Sequence, residues 1–157
     1  HLMLLNSFIH IKKKYKKKLF LVIIGEGHLK KKLKKFVIKN KIEQDVIFLN
    51  NLQNVLNYIK FCKLFVQTSL WEGQPNVLIE ALLLNKQVIA TKCPGQNEKN
   101  LSNFKNCHFL KVNTVNNLSK VILFFLKKKK ITFKSNIIKD YLINQSGIKI
   151  LHAIKKN

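Results

Sequence analysis

Arginine is missing from this chain of 157 residues, and all 30 of its basic side chains are lysines. That absence bears on its most conspicuous bulk property, a formal net charge of +23. Such a charge taken alone points to nucleic acid or an anionic membrane surface. Arginine, however, is the usual reader of phosphates and base edges, because its planar fork of donors engages two acceptors at once. Lys, Asn, Ile and Phe are plentiful together, and all are served by A- and T-rich codons. Mutational bias in the gene therefore explains the charge without a partner, and no specific nucleic acid is expected. The lysine runs at Lys12 to Lys18, Lys30 to Lys35 and Lys127 to Lys130 read as solvated helix faces or ends.

Other scarcities exclude other classes. Cys62, Cys93 and Cys107 are odd in number and widely spaced, so neither a disulfide framework nor a zinc site is indicated. Cys93 has no histidine beside it and is a weak nucleophile candidate. His1, His10, His28, His108 and His152 lack ligand spacing, and no metal is expected. No apolar run approaches the roughly 18 residues of a spanning helix, and His1-Leu-Met-Leu-Leu has neither the charged start nor the small-residue cleavage site of a signal peptide. The expected location is the cytoplasm. A peripheral contact with the inner face of the cytoplasmic membrane would run through His28 to Lys39, whose stripe Leu29, Leu33, Phe36 and Val37 suits an interfacial helix or one packed on a sheet. With 5 glycines and 2 prolines the chain shows no linker and no internal repeat, so residues 1–157 are read as one domain.

What is present is an alternation of apolar strands and helical stretches: Leu19 to Gly25, His28 to Lys39, Val46 to Leu49, Leu52 to Phe61, Leu64 to Thr68, Pro75 to Leu84, Val88 to Thr91 and His108 to Leu110. This order predicts an α/β fold, a Rossmann-like parallel sheet with helices on both faces. From residue 111 to 157 the chain reads as C-terminal helices, with Leu118, Val121, Ile122, Phe125 and Leu126 on one stripe. Ligands of such sheets sit beyond the carboxyl ends of the strands. Gly25 to Gly27, Ser69 to Asn76 and Cys93 to Glu98 would meet there. Gly25-Glu-Gly27 lacks the third glycine of a dinucleotide fingerprint and by itself reads as a tight turn.

The richest run is Ser69-Leu-Trp-Glu-Gly-Gln-Pro-Asn-Val-Leu-Ile-Glu-Ala-Leu82, in which Glu72 and Glu80 bracket a turn. Pro75 suits the first helical position, since its missing N–H would have no partner there. The free amides of Asn76 and Val77 then point out of the helix start, an end that attracts anions, above all phosphate. Glu80 stands among Val77, Leu78, Ile79, Ala81, Leu82, Leu83 and Leu84, and a lone carboxylate in that company needs a partner. It lies on the face of Asn76 and about 6 Å further along, within reach of a hydroxyl next to a bound phosphate. A place at the helix edge beside a lysine is the other reading. Trp71 reads as core or pocket wall.

Glu72-Gly-Gln-Pro-Asn-Val-Leu-Ile-Glu80-Ala resembles the Glu-x7-Glu signature of retaining, nucleotide-sugar-dependent glycosyltransferases of family four, in the nucleotide-binding C-terminal domain of the GT-B fold. Leu21-Val-Ile-Ile-Gly-Glu-Gly27, Val46-Ile-Phe-Leu49 and Gln87-Val-Ile-Ala-Thr91, followed by Cys93-Pro-Gly95 and Glu98, are similar to its flanking strands and loops in the same order. The likeness runs from His1 to about Leu110. It implies transfer of a hexose-type sugar from a nucleotide diphosphate sugar, UDP being the commonest, to a glycan or lipid-linked acceptor, with no metal. Glu72 would touch the donor sugar and be the catalytic residue, Glu80 would hold the ribose hydroxyls, and backbone around Gly73, Gln74, Pro75, Asn76 and Val77 the diphosphate. Gly25 and Gly27 would line the same site. The likeness also implies features ahead of His1: a further strand, an Arg and Lys that clamp phosphate, and an acceptor domain. Asn50 stands where glycine is usual and Lys92 where an acidic residue is common. The rival expectations are an inactive truncated fragment and a basic module for membrane or nucleic acid.

Overall fold

Apolar runs form strands and amphipathic runs form helices in strict alternation through most of the chain. α1 (Leu2–Lys14) leads into β1 (Leu21–Ile24), α2 (Lys30–Lys39), β2 (Val46–Leu49), α3 (Val55–Phe61), β3 (Leu64–Gln67), α4 (Asn76–Leu83), β4 (Gln87–Ala90), β5 (Cys107–Phe109) and α5 (Val115–Lys127). The computed structural model of the chain describes residues 1–73, 75–95 and 101–128. Gln74, Glu98 and the helical pieces expected after residue 128 lie outside them. Every ladder among the described residues is parallel, pairing Leu21 with Val46, Leu64 with Gln87 and Val88 with Cys107. The α/β class is as expected, with ends displaced by a few residues where turns hold the chain; α3, for instance, begins at Val55, not Leu52.

The sheet is divided, which the sequence did not foretell. β1 pairs with β2, and β3, β4 and β5 form a second sheet in that order. α1 lies across the division. Its Leu4 and Ile11 join Ile89, Leu110, Leu118 and Ile122 in one apolar cluster, while Leu5 and Phe8 join Ile23, Leu33, Val37 and Val46 in another. Alternation within β4 sends Ile89 to that side and Val88 and Ala90 to the opposite face, where Leu78, Leu82, Ile59 and Phe104 cover them. Each such side chain withdrawn from water contributes about 1.5–3 kcal/mol.

Polar groups fasten the same elements. The Ser7 hydroxyl of α1 donates to the Val115 carbonyl of α5 at 3.2 Å, and Ser119 donates back to the Ser7 carbonyl at 3.4 Å. Small side chains let the two helices approach closely. At the end of α4, the buried Asn106 amide donates to the Leu82 and Lys86 carbonyls at 3.1 and 2.8 Å, satisfying groups the helix leaves open. The stripe of α2 is used in packing: Leu33 and Val37 are buried, and Phe36 lies against the same cluster. Three residues of the stripe thus pack toward the sheet, while its first residue, Leu29, stays 46% exposed. Lys12 pairs with Asp45 at 2.8 Å.

Candidate functional site

The loops after β3 and β4 are stitched together at the carboxyl end of their sheet. Thr91 Oγ1 donates to the Ser69 carbonyl at 2.7 Å, and the Glu72 amide donates to the Pro94 carbonyl at 3.1 Å. Gly95 has φ +82 and presses against the Glu72 carbonyl. Within this frame the Glu72 carboxylate is held by two donors, Gln67 Nε2 at 2.6 Å and the Ser69 hydroxyl. A carboxylate so oriented cannot drift toward the lysines. The side-chain oxygen of Gln67, Oε1, is buried and has no hydrogen-bond partner among the described residues.

α4 starts directly behind this loop. Pro75 occupies the position before the helix, with ψ 65, and Asn76 is the first helical residue; the expectation that Pro75 begins the helix is off by one, because its backbone is not helical. The chemical consequence stands. No side chain caps this end, and the first main-chain helical bond is Ile79 N–H to the Pro75 carbonyl at 3.1 Å. The amides of Asn76 and Val77 therefore have no helical acceptor. Pro75 is buried and Val77 is 44% exposed, so the helix start opens to solvent on one side. Glu80 is partly buried in the next turn, and desolvation raises its pKa above the ordinary glutamate value. Among the described residues its carboxylate has neither an ion pair nor a hydrogen bond, so the lysine-paired reading finds no support there.

Gly25 and Gly27 follow β1 at the same pole, with Gly25 at φ +131 and its amide bonded to the Leu49 carbonyl at 3.1 Å. No hydrogen bond among the described residues joins this turn to the loops around Glu72, so the expected meeting of three loops is seen for two. Lys30 takes hold of the turn instead: its ammonium donates to the Gly25 carbonyl at 3.3 Å and to Asn50 Oδ1 at 2.5 Å. Asn50, where glycine was the usual residue of the resemblance, serves as the anchor for this lysine. Sequence reasoning missed Lys30, hidden in a lysine run, and the hydrogen bonds that Gln67, Ser69 and Thr91 make here. Their signal was only position, at strand ends. Trp71 is 70% exposed, which removes the core half of its reading as core or pocket wall, because the loop turns it outward past Gly73.

The remaining titratable candidates do not join the site. Among the described residues no group of His, Cys, Asp and Glu is arranged to hold a metal. None of the three cysteines is in a disulfide, and burial pushes the Cys107 thiol up to about 12 and raises that of Cys62. Neither is a thiolate at neutral pH. No helix among the described residues is long and apolar enough to cross a membrane.

A uncapped helix start next to an oriented carboxylate, at the carboxyl end of a parallel sheet, agrees with what is found among known proteins: the family described as "Glycosyl transferases group 1" matches residues 1–140. The chain belongs to that family. The match extends past Leu110, where the likeness of motifs fades. Over 90 residues the chain is 41% identical to "Uncharacterized glycosyltransferase MJ1059" of Methanocaldococcus jannaschii, covering 57% of this chain and 22% of that one. Over 91 residues it is 34% identical to the Campylobacter jejuni "N-acetylgalactosamine-N,N'-diacetylbacillosaminyl-diphospho-undecaprenol 4-alpha-N-acetylgalactosaminyltransferase", covering 58% and 24%. The chain thus spans about a quarter of the length of these glycosyltransferases. In fold it is similar to Anabaena Alr3699/HepE, solved in complex with UDP and glucose, with a TM-score of 0.70 at 19% identity, covering 96% of this chain and 43% of that one. It resembles WaaG, a glycosyltransferase involved in lipopolysaccharide biosynthesis, equally well, at 0.70 and 13% identity.

Proposed function

We propose that this glycosyltransferase chain binds the nucleotide diphosphate sugar of a retaining transfer, with Glu72 toward the sugar, Glu80 toward the ribose and the start of α4 toward the diphosphate. One observation carries the reading: Glu80 is a partly buried carboxylate without a partner among the described residues, one turn behind helix amides that have no helical acceptor. A nucleoside diphosphate brings hydroxyl donors and phosphate acceptors in that arrangement. Its UDP form is the first candidate, in keeping with the UDP in the Anabaena structure.

In the reaction the bond from the anomeric carbon to the diphosphate oxygen breaks. The acceptor oxygen bonds to the same carbon on the same face and loses its proton, and charge grows on the departing phosphate. Amides of Gly73, Asn76 and Val77 aimed at those oxygens assist departure more than they assist binding of the intact donor. Glu72, held by Gln67 and Ser69, would position the sugar hydroxyls. No step calls on a metal. The acceptor would be a glycan or lipid-linked sugar, presented by a part of a longer protein outside this chain, at the inner face of the cytoplasmic membrane.

Calorimetric titration with UDP and GDP tests the reading. Glu80→Gln should weaken binding by about 1.5–3 kcal/mol, the range for a hydrogen bond to a charged group, without loss of folding. Unchanged affinity would remove Glu80 from the site.

A further inference from the structure

At the pole opposite Glu72, where β3 and β4 begin, a cavity of about 690 Å3 is walled by four segments that are far apart in the chain: the end of α1, the passage from α3 into β3, the turn between α4 and β4, and the end of α5. Six of its fourteen lining residues are lysines, Lys17, Lys60, Lys63, Lys86, Lys127 and Lys128, and none is acidic. Basic residues make up 30 of 157 in the chain as a whole, a much smaller share. Lys60, Lys63 and Lys86 also stand outside the lysine runs. Codon use supplies the lysines; it does not by itself gather them around one cavity.

Lysines at such a pole have an ordinary use, which is to face the carboxyl ends of helices. α1, α3, α4 and α5 end at Tyr15, Cys62, Leu84 and Lys128, and at about half a negative charge each the four ends amount to about two charges. Six cations exceed that. Part of the need is also met already, since Lys63 donates to the Leu126 carbonyl at 2.7 Å and the Asn106 amide donates to the Leu82 and Lys86 carbonyls. Lys128 lies over Phe124 and Phe125, 4.3 and 5.7 Å from the ring centres. Lys17, Lys60 and Lys127 have no ion pair, hydrogen bond or ring contact among the described residues. Like charges gathered without a counter-charge repel one another, and an anion between them relieves this.

Size and lining narrow the anion. The volume falls within the range of about 300–1,000 Å3 usual for small-molecule sites, and a concave wall of these dimensions suits neither a duplex nor a membrane plane. Phe61, 83% exposed, and Phe125 line the cavity with the lysines. A bare inorganic ion would leave the Phe61 ring in water, whereas a ligand with an apolar part would cover it. Ammonium groups bind phosphate as point charges, with no need of the guanidinium fork. We propose that this cavity binds a small soluble organic phosphate, its phosphate among Lys17, Lys60 and Lys127 and its apolar part against Phe61. β3 runs between this cavity and the loop of Glu72, so the site is separate from the start of α4 and does not depend on the sugar-transfer reading.

Calorimetric titration with 1-naphthyl phosphate and with inorganic phosphate tests it at physiological salt, where charges more than about 8 Å away are largely screened. 1-Naphthyl phosphate should bind, and more tightly than inorganic phosphate. Combining Lys17→Gln, Lys60→Gln and Lys127→Gln should weaken it by about tenfold or more, since one lost hydrogen bond between charged groups already accounts for that much. Combining Lys31→Gln, Lys34→Gln and Lys35→Gln, which removes the same charge from exposed positions on α2, should change it by less than about twofold. Phe61→Ala should weaken 1-naphthyl phosphate and leave inorganic phosphate unchanged. On the unaltered chain, 1-naphthyl phosphate should slow acetylation of Lys17, Lys60 and Lys127 and spare Lys31, Lys34 and Lys35, read by peptide mass spectrometry. No binding at millimolar concentration, equal losses in the two triple variants, or uniform acetylation would overturn the site. Unchanged binding in Phe61→Ala would overturn the apolar part. Sedimentation with phosphatidylglycerol vesicles that the cavity variants abolish, without binding of 1-naphthyl phosphate, would overturn the soluble ligand in favour of an anionic lipid surface.

Discussion

Gly95 stands so close to Glu72 that a β-carbon on it would lie 1.7 Å from the Glu72 carbonyl oxygen. Backbone meets backbone here, so a substituent cannot be accommodated by swinging a side chain aside. The φ of +82 adds strain for any residue with a side chain.

Gly95→Ala should therefore destabilise the fold by more than the roughly 1–3 kcal/mol of a strained backbone alone, read as a lowered denaturation midpoint. It should also weaken nucleotide binding, since the loop that orients Glu72 must move. Gly27→Ala is the control: nothing lies within 4 Å of its added carbon, and its effect should be small. Equal stability of the two variants would show that the loops are not pressed together.

Glu80 predicts a pH dependence with a definite sign. Its folded pKa is raised by desolvation, so between the ordinary and raised values the folded chain holds more protons than the unfolded one, and stability falls as pH rises through that window. Ribose hydroxyls donating to the carboxylate favour its charged form. Nucleotide affinity should then rise with pH across the same window, and binding should release protons, measurable by calorimetry in buffers of different ionisation enthalpy. Glu80→Gln should flatten both profiles. Profiles identical in the two proteins would remove the carboxylate from both roles.

The parts of the site written as a continuous run were legible. A helix start within one residue of Pro75, the outward amides and the need of Glu80 for some partner follow from Pro75 and the apolar neighbours, and the strands follow from runs such as Leu21 to Ile24 and Gln87 to Ala90. What escaped depends on contacts between distant segments. Nothing near Gln67 announces a hydrogen bond to Glu72, and nothing near Gly95 announces that another backbone will press on it. Lys30 differs from its lysine neighbours only in standing beside the ends of two strands. The divided sheet escaped for a related reason, since strand propensity says where strands form and not which edges meet.

The charge has its own test. If the lysines reflect codon use, binding to duplex DNA should be weak, indifferent to sequence and steeply lost with salt, as counterion release alone dictates. Electrophoretic or fluorescence titration at low and physiological salt measures this. Tight, sequence-selective binding that survives physiological salt would contradict it.

The chain by itself should transfer no sugar. Transfer requires donor and acceptor held in a near-attack geometry, and the chain spans only about a quarter of its curated relatives. Incubation with labelled sugar nucleotides and lipid or glycan acceptors should yield at most slow donor hydrolysis, with donor binding near the millimolar range, about 4 kcal/mol. Turnover at enzyme-like rates would place the catalytic machinery within these residues.

The serines that join α1 to α5 set the order in which this domain can form. Ser7 and its partner Val115 are 108 positions apart, and closing so long a loop costs entropy before any of the contact is gained. Local pairings such as β1 with β2 can assemble early, whereas Leu4 and Ile11 gain Leu118 and Ile122 as neighbours only once α5 exists. On the ribosome the Leu4 and Ile11 side of α1 must wait uncovered until nearly all of the described chain has been made, while Leu5 and Phe8 can meet Ile23 and Val46 earlier. Folding of this domain is therefore a late event in its synthesis, and the interval before it is when a chaperone would find α1 exposed.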